Sequence, residues 1–117
     1  MNRYNFKNHI KGDTLKEIVF TMTLNEEPMD LTDVIIQSQF RKHPNSKDAV
    51  LFLTSVDNEG ITITENPGEF KINQQIIDIP AGDYVYDIEF TFDDGTVKTY
   101  IYGDFKVIQD ITRIEEE

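Results

Sequence analysis

The side chains able to do chemistry are few and scattered. His9 and His43 are the only histidines, and neither has a carboxylate or a second ligand at useful spacing. Two histidines on one helical turn, as in a zinc hydrolase, are absent. Both therefore read as exposed surface residues. Ser38, Ser46 and Ser55 lie in strand and loop contexts, not in a nucleophile elbow. The glycines are single and sit at turns, so no phosphate-cradling loop is present. Asp93, Asp94 and Asp104, or Asp57 with Glu59, could converge at one end of a sheet to hold calcium, which takes several carboxylate oxygens. The simpler reading is turn-forming acids. Paired carboxylates could cleave a glycosidic bond, but the chain has no tryptophan for a sugar to stack on. One constellation suits contact. Tyr100 and Tyr102, set opposite Asp87 and Glu89, would form a polar-aromatic strip, and tyrosine is enriched at interfaces. No catalytic residue, no cofactor site and no metal site is expected.

These residues must be positioned by the hairpin of residues 80–107. Tyr84, Tyr86, Ile88, Phe90 and Phe92 share one parity, with Val85, Asp87, Glu89 and Thr91 on the other. Side chains alternate across a strand, so this is a half-buried strand. Asp94-Gly95 supplies the turn, read as a two-residue type I′ loop. That register sets Phe92 against Val97, Phe90 against Thr99 and Ile88 against Ile101 on the inner face. It sets Thr91 against Lys98, Glu89 against Tyr100 and Asp87 against Tyr102 on the outer one. Gly103 has nothing to pack, so a bend or bulge is expected there. Tyr84, after the turn at Gly82, is placed like the tyrosine corner of immunoglobulin-like sandwiches, its hydroxyl bonding upstream backbone.

The remaining chain shows the same style. Residues 1–12 form a basic arm with apolar beads at Tyr4, Phe6 and Ile10, and with Arg3, Lys7 and Lys11 unopposed until Asp13. The arm is either an edge strand of the domain's own sheet or a segment laid on a neighbour. Gly12-Asp13 turns into a strand with Ile18, Phe20, Met22 and Leu24 inward. A polar turn closes it at residues 25–28, and Met29 and Leu31 are apolar anchors. Val34, Ile36, Ser38 and Phe40 face inward on the next strand, with Gln37, Gln39 and Arg41 outward. Residues 42–48 are a loop. Residues 49–54 are apolar on both faces and read as a strand covered on both sides. Residues 61–73 read as a hairpin around Asn66-Pro67-Gly68, and residues 74–79 as a strand or bulged connection.

Length and composition bound the class. The 117 residues suit a single domain, residues 1–117, ending in an acidic tail at residues 114–117. Short strands between turn signals, with no helical period, predict an all-β, immunoglobulin-like antiparallel β-sandwich of about seven or eight strands. No cysteine is present, so no disulfide frame arises. The net charge of −11 argues against nucleic acid and against anionic membrane as partners. No apolar stretch approaches the roughly 20 residues of a membrane helix, and the first residues lack a signal-peptide core.

The order of several phrases carries a resemblance. Gly12-Asp13-Thr14 precedes a strand, and Pro28-Met29-Asp30-Leu31-Thr32 follows it. Gly60-Ile61-Thr62-Ile63 comes next, then Pro80-Ala81-Gly82-Asp83-Tyr84 and Asp94-Gly95-Thr96-Val97, with Asp110-Ile111-Thr112-Arg113 closing the series. This order resembles the small immunoglobulin-like virion proteins of tailed bacteriophages and is similar to the N-terminal domain of phage baseplate upper proteins. The resemblance implies a non-enzymatic component of a neck, tail, baseplate or capsid. It would be made in the bacterial cytoplasm, reside in the virion, and dock to other virion proteins and to copies of itself. Arg3, Tyr4, Phe6, Lys7, Lys11, Tyr100 and Tyr102 are the expected contact residues, with the basic arm meeting an acidic patch. Losing residues 1–11 would then spare the fold. The alternative is a carbohydrate- or host-surface-binding module, since one fold serves both. A small hydrolase ranks last.

Overall fold

The computed structural model describes residues 2–109, so the acidic tail and the Asp110–Arg113 phrase lie outside the described residues. The fold is all-β, with one 3₁₀ turn among the described residues, at Val56–Asn58. In chain order the strands are β1 (Asn2–Arg3), β2 (His9–Ile10), β3 (Thr14–Leu15), β4 (Ile18–Thr21), β5 (Thr23–Leu24), β6 (Glu27–Pro28) and β7 (Ile35–Arg41). Then come β8 (Leu51–Thr54), β9 (Ile61–Ile63), β10 (Glu69–Ile72), β11 (Gln75–Ile76), β12 (Gly82–Thr91) and β13 (Val97–Ile108). Six of these have two residues, so the expected seven or eight strands are partly broken into short rungs. No helix among the described residues is long and apolar enough to cross a membrane.

The larger sheet runs β1-β13-β12-β7-β8, and β2 also pairs with β13. The smaller layer is β4-β10-β9, extended by the pairs β3–β11 and β5–β6. The long hairpin is central to its sheet, as expected, with β7 on its far flank. Its even residues are the core: Tyr84, Tyr86, Ile88 and Phe90 are buried, with Phe105 and Val107 beside them. Phe90 meets Phe70 of the opposite layer edge-on at 5.6 Å, and Phe70 stacks on Phe20 at 5.1 Å. A second aromatic group joins Phe6, Phe40, Tyr86 and Phe105, with centroids 4.9–5.8 Å apart. Such edge-to-face and stacked pairs add to simple burial.

The turn corrects the expected register. Phe92 N–H donates to Thr96 O (2.8 Å) and Gly95 N–H donates to Phe92 O (2.8 Å). Only Gly95 in this loop has positive φ, at 90°. This is a three-residue loop, a type I turn followed by a left-handed glycine. Asp94 Oδ1 accepts the Thr96 N–H at 2.9 Å, which holds its carboxyl below the usual range. The extra loop residue shifts the nearby pairs to Thr91↔Val97, Phe90↔Lys98 and Glu89↔Thr99. A β-bulge between Ile88 and Glu89 then restores Ile88↔Ile101 and Asp87↔Tyr102, as expected. Between turn and bulge the faces are exchanged. Val97 and Thr99 turn outward, Val97 to 54% exposure, and Tyr100 turns in against Phe90 at 5.0 Å.

The N-terminal arm belongs to the sheet. β1 and β2 pair parallel to β13, and Tyr4 and Phe6 N–H donate to the Tyr102 and Asp104 carbonyls between them. Phe6 is only 7% exposed. Gly103 is therefore not a bend. The Tyr4 carbonyl lies where its side chain would be, 2.0 Å from an added Cβ. Leu24 also departs from expectation. Positive φ at Asn25 and Glu26 closes a tight β5–β6 hairpin that carries Leu24 into solvent. Residues 49–54 are not covered on both sides: β8 is an edge strand, with Val50 and Phe52 exposed. Residues 61–73 form the expected hairpin, and residues 74–79 contribute the short β11.

The tyrosine corner is present: the Tyr84 hydroxyl donates to the Pro80 carbonyl. Tyr86 likewise donates to the Tyr4 carbonyl, tying the arm to the central strand. Burial raises both phenols above their usual value; for Tyr86 the neighbouring Tyr4 and Asp104 add to it. A raised folded-state value keeps the neutral phenol in the fold while the unfolded chain ionises near pH 10. Stability is thus full below about pH 10 and falls as pH rises through the folded-state values. Phenolate absorbance should show these two tyrosines titrating only with the loss of near-ultraviolet dichroism. Free titration of all tyrosines in an intact fold would contradict their burial.

Candidate functional site

The outer face of the larger sheet carries an open groove of about 620 Å³. Its floor is β12, with Asp87 and Glu89 outward on alternate residues. Gln39 and Gln37 stand opposite them on β7, and Tyr102 and Thr99 on β13. Same-face residues repeat about every 6–7 Å along a strand and strands lie about 5 Å apart, so these six polar groups form a grid. Arg41 and Arg3 stand at its margins.

The charges are held in distinct ways. Arg41 donates to the Ser46 and Lys47 carbonyls at 2.8 and 2.7 Å and to Gln39 Oε1, which anchors the loop of residues 42–48 at the rim. Arg3 lies 4.8 Å over the Tyr102 ring and 3.4 Å from Asp104 Oδ2. Asp87 is raised above the usual carboxylate range, first by burial and then by Glu89, with Arg41 opposing. Folding therefore works against the charged form of Asp87. Its contribution is present below the unfolded value near 4 and is lost as pH rises through the raised one. Asp87→Asn should raise the melting temperature at pH 7, and the gain should vanish below about pH 4. An equal gain at both pH values would mean that charge is not the cause.

Of the seven expected contact residues, the groove unites Arg3 and Tyr102. Phe6 is core, and Tyr100 packs inward on Phe90. Lys11 is engaged with Asp78 at 2.6 Å, while Lys7 is exposed. Tyr4 is half-occupied by its own domain, its ring against Phe6 and Phe20. His9 is not a surface residue. It is buried, its Nε2 is 2.9 Å from the Asp13 carbonyl, and its ring lies beside Phe105. His43 is exposed in its loop. Ser38 is buried and donates to the Asp87 carbonyl at 2.8 Å, and Ser55 Oγ accepts the Ile36 N–H at 2.9 Å. Asp93 and Asp94 sit at the hairpin tip, whereas Asp104 pairs with Val85 far along the strands. Among the described residues no group of three or more acids or histidines could hold a metal. Gln37, Gln39 and Arg41 join the site because β7 pairs with β12. Their outward parity was readable, but that strand neighbour was not.

No protein-family model matches the chain, and no curated protein matches its sequence. Among solved structures, a putative glycoside hydrolase from Bacteroides vulgatus ATCC 8482 is similar in backbone. The TM-score is 0.47 and the identity 14%, over 89% of this chain and 17% of that one. The chain thus spans well under two thirds of that protein.

Proposed function

We propose that this chain is a non-enzymatic structural component of a tailed-phage particle. It acts by protein–protein contact, with other virion proteins and with copies of itself. The observation that carries the reading is the outer sheet face: an open grid of tyrosine, arginine, amides and carboxylates. Tyrosine and arginine are the residues contact surfaces favour. The resemblance in phrase order supports the particle assignment. The contact expected of the basic arm moves to this face, because Arg3 reaches the groove while Phe6 and Lys11 are held within the domain.

The test uses particles assembled without the wild-type chain. Glu89→Lys reverses one groove charge at a half-buried outward position. It should preserve the melt and lose incorporation, read by mass spectrometry of purified particles. Normal incorporation, or absence of the wild-type chain from particles, would overturn the proposal. The amide–carboxylate grid with Tyr102 also suits the hydroxyls of a sugar, which supports the carbohydrate-binding alternative. Specific signals on a glycan array would favour it.

A further inference from the structure

We propose that the groove docks a segment of another protein of the particle, one that presents an arginine to Asp87 and Glu89 and apolar side chains to either side of it. This rests on the groove being the contact face and names the chemistry of what it contacts.

The strand registers lay the face out in rows. Thr91 of β12 pairs with Val97 on one side and Ile35 on the other. In the next outward row Glu89 lies between Thr99 and Gln37. In the row after it Asp87 lies between Tyr102 and Gln39, and Gln39 pairs in turn with Phe52 of β8. The centre of the face is therefore polar and half-buried, while two of its borders are apolar. Val97, Ile35 and Phe52 on those borders are all exposed.

The two central carboxylates lack a counter-charge. Among the described residues neither Asp87 nor Glu89 is in an ion pair. Both groove arginines are committed elsewhere, Arg41 to the Ser46 and Lys47 carbonyls and to Gln39, Arg3 to Asp104. Burial, then the charge of Glu89, holds the Asp87 carboxyl above its usual range, and the opposing pull of Arg41 does not cancel this. A partner that covered this floor would strip the remaining water from both acids. That is unfavourable unless the partner replaces the water with a positive, hydrogen-bonding group.

Geometry selects arginine over lysine. Alternate residues on one face stand about 6–7 Å apart along a strand. A guanidinium spreads five N–H donors around a plane, so one group can bond both carboxylates and a glutamine oxygen as well. An ammonium is a compact, strongly hydrated point charge that suits one acid at a time. The borders select a protein segment over a small ligand. A ligand no wider than the floor would leave Phe52, Ile35 and Val97 in water, whereas apolar side chains flanking the arginine would cover them.

The experiment follows the backbone amide resonances of the isotope-labelled full chain as peptide is added. The probe is the blocked peptide leucine-glycine-arginine-glycine-leucine, beside versions carrying lysine or citrulline, the neutral isostere of arginine. The arginine peptide should shift Asp87, Glu89, Gln39 and Phe52 with a Kd of about 1 mM. Citrulline should bind about tenfold more weakly and lysine about threefold. The double variant Asp87→Asn, Glu89→Gln should lose about tenfold for the arginine peptide, with an unchanged circular dichroism spectrum. Phe52→Ser should lose about threefold. Equal binding of arginine and citrulline overturns the proposal. So does binding that the double variant leaves intact, the absence of any shift at about 10 mM peptide, or a glycan that shifts these amides where no basic peptide does. Particle assembly separates this inference from the reading beneath it. If Glu89→Lys is excluded from particles while the neutral double variant enters normally, the groove stands as the contact and the arginine falls. If the wild-type chain is absent from particles, the particle assignment falls and the peptides alone decide the arginine.

Discussion

Phe90→Ala should cost about 3–5 kcal/mol, the usual range for emptying a buried phenylalanine site. Phe90 is fully buried and touches Phe70 across the layers, with Tyr100 and Phe92 on its own sheet. It is thus a main cross-layer aromatic contact of the central strand. The rings around it come from both layers and are fixed by their ladders, so the void cannot collapse freely. A domain of this size has about 5–15 kcal/mol in hand. The melting temperature should therefore fall by on the order of 10–20 °C. Chemical denaturation would give the free energy directly. A loss under about 1 kcal/mol would mean that the layers do not meet through this ring.

Gly103→Val should detach the N-terminal arm. Any Cβ at this position lands 2.0 Å from the Tyr4 carbonyl oxygen and 2.7 Å from its carbon. Both atoms are backbone and cannot swing aside as a side-chain end could. Overpacking alone costs about 1–3 kcal/mol. Moving Tyr4 also breaks its N–H bond to Tyr102 and the Tyr86 hydroxyl bond to its carbonyl, and it pulls on Phe6. Hydrogen exchange should show the amides of Tyr4 and Phe6 losing protection, while the β9–β10 hairpin keeps its own. Protection unchanged at Tyr4 would refute the close approach. The same contacts revise the expectation for the arm. Removing residues 1–11 would take out Phe6 and His9 and bare the β13 edge, so the fold would not be spared.

Much of the layering was legible because period-two alternation is a direct record of a half-buried strand. Tyr84 to Phe90, Ile36 to Phe40 and Phe70 with Ile72 all face inward as their parity indicates. The hairpin tip was misread because Asp93-Asp94-Gly95 fits two loops of different length, and glycine's positive φ suits both. A one-residue difference in loop length inverts a face. Tyr100 and Thr99 are adjacent and both plausible on either face, so nothing local chose between them. Gly103 and His9 were misjudged for another reason. Each is set by a strand about a hundred residues away or by a loop carbonyl, and local sequence does not record who the neighbour is. The groove was half-visible: Tyr102, Asp87 and Glu89 were grouped by the hairpin, but Arg3, Gln37 and Gln39 join only through β1 and β7 pairing.

The parallel pairing of the first and last described strands also sets how the domain carries load. Tension applied between Asn2 and Ile108 would draw β1 and β13 past one another along their length. The rungs from Asn2 to Ile10 would then be strained together, in shear, rather than opened one at a time as a zipper. Chains pulled by these two points should resist at a single high-force event, whereas pulling β12 from β13 at the hairpin mouth should peel them gradually.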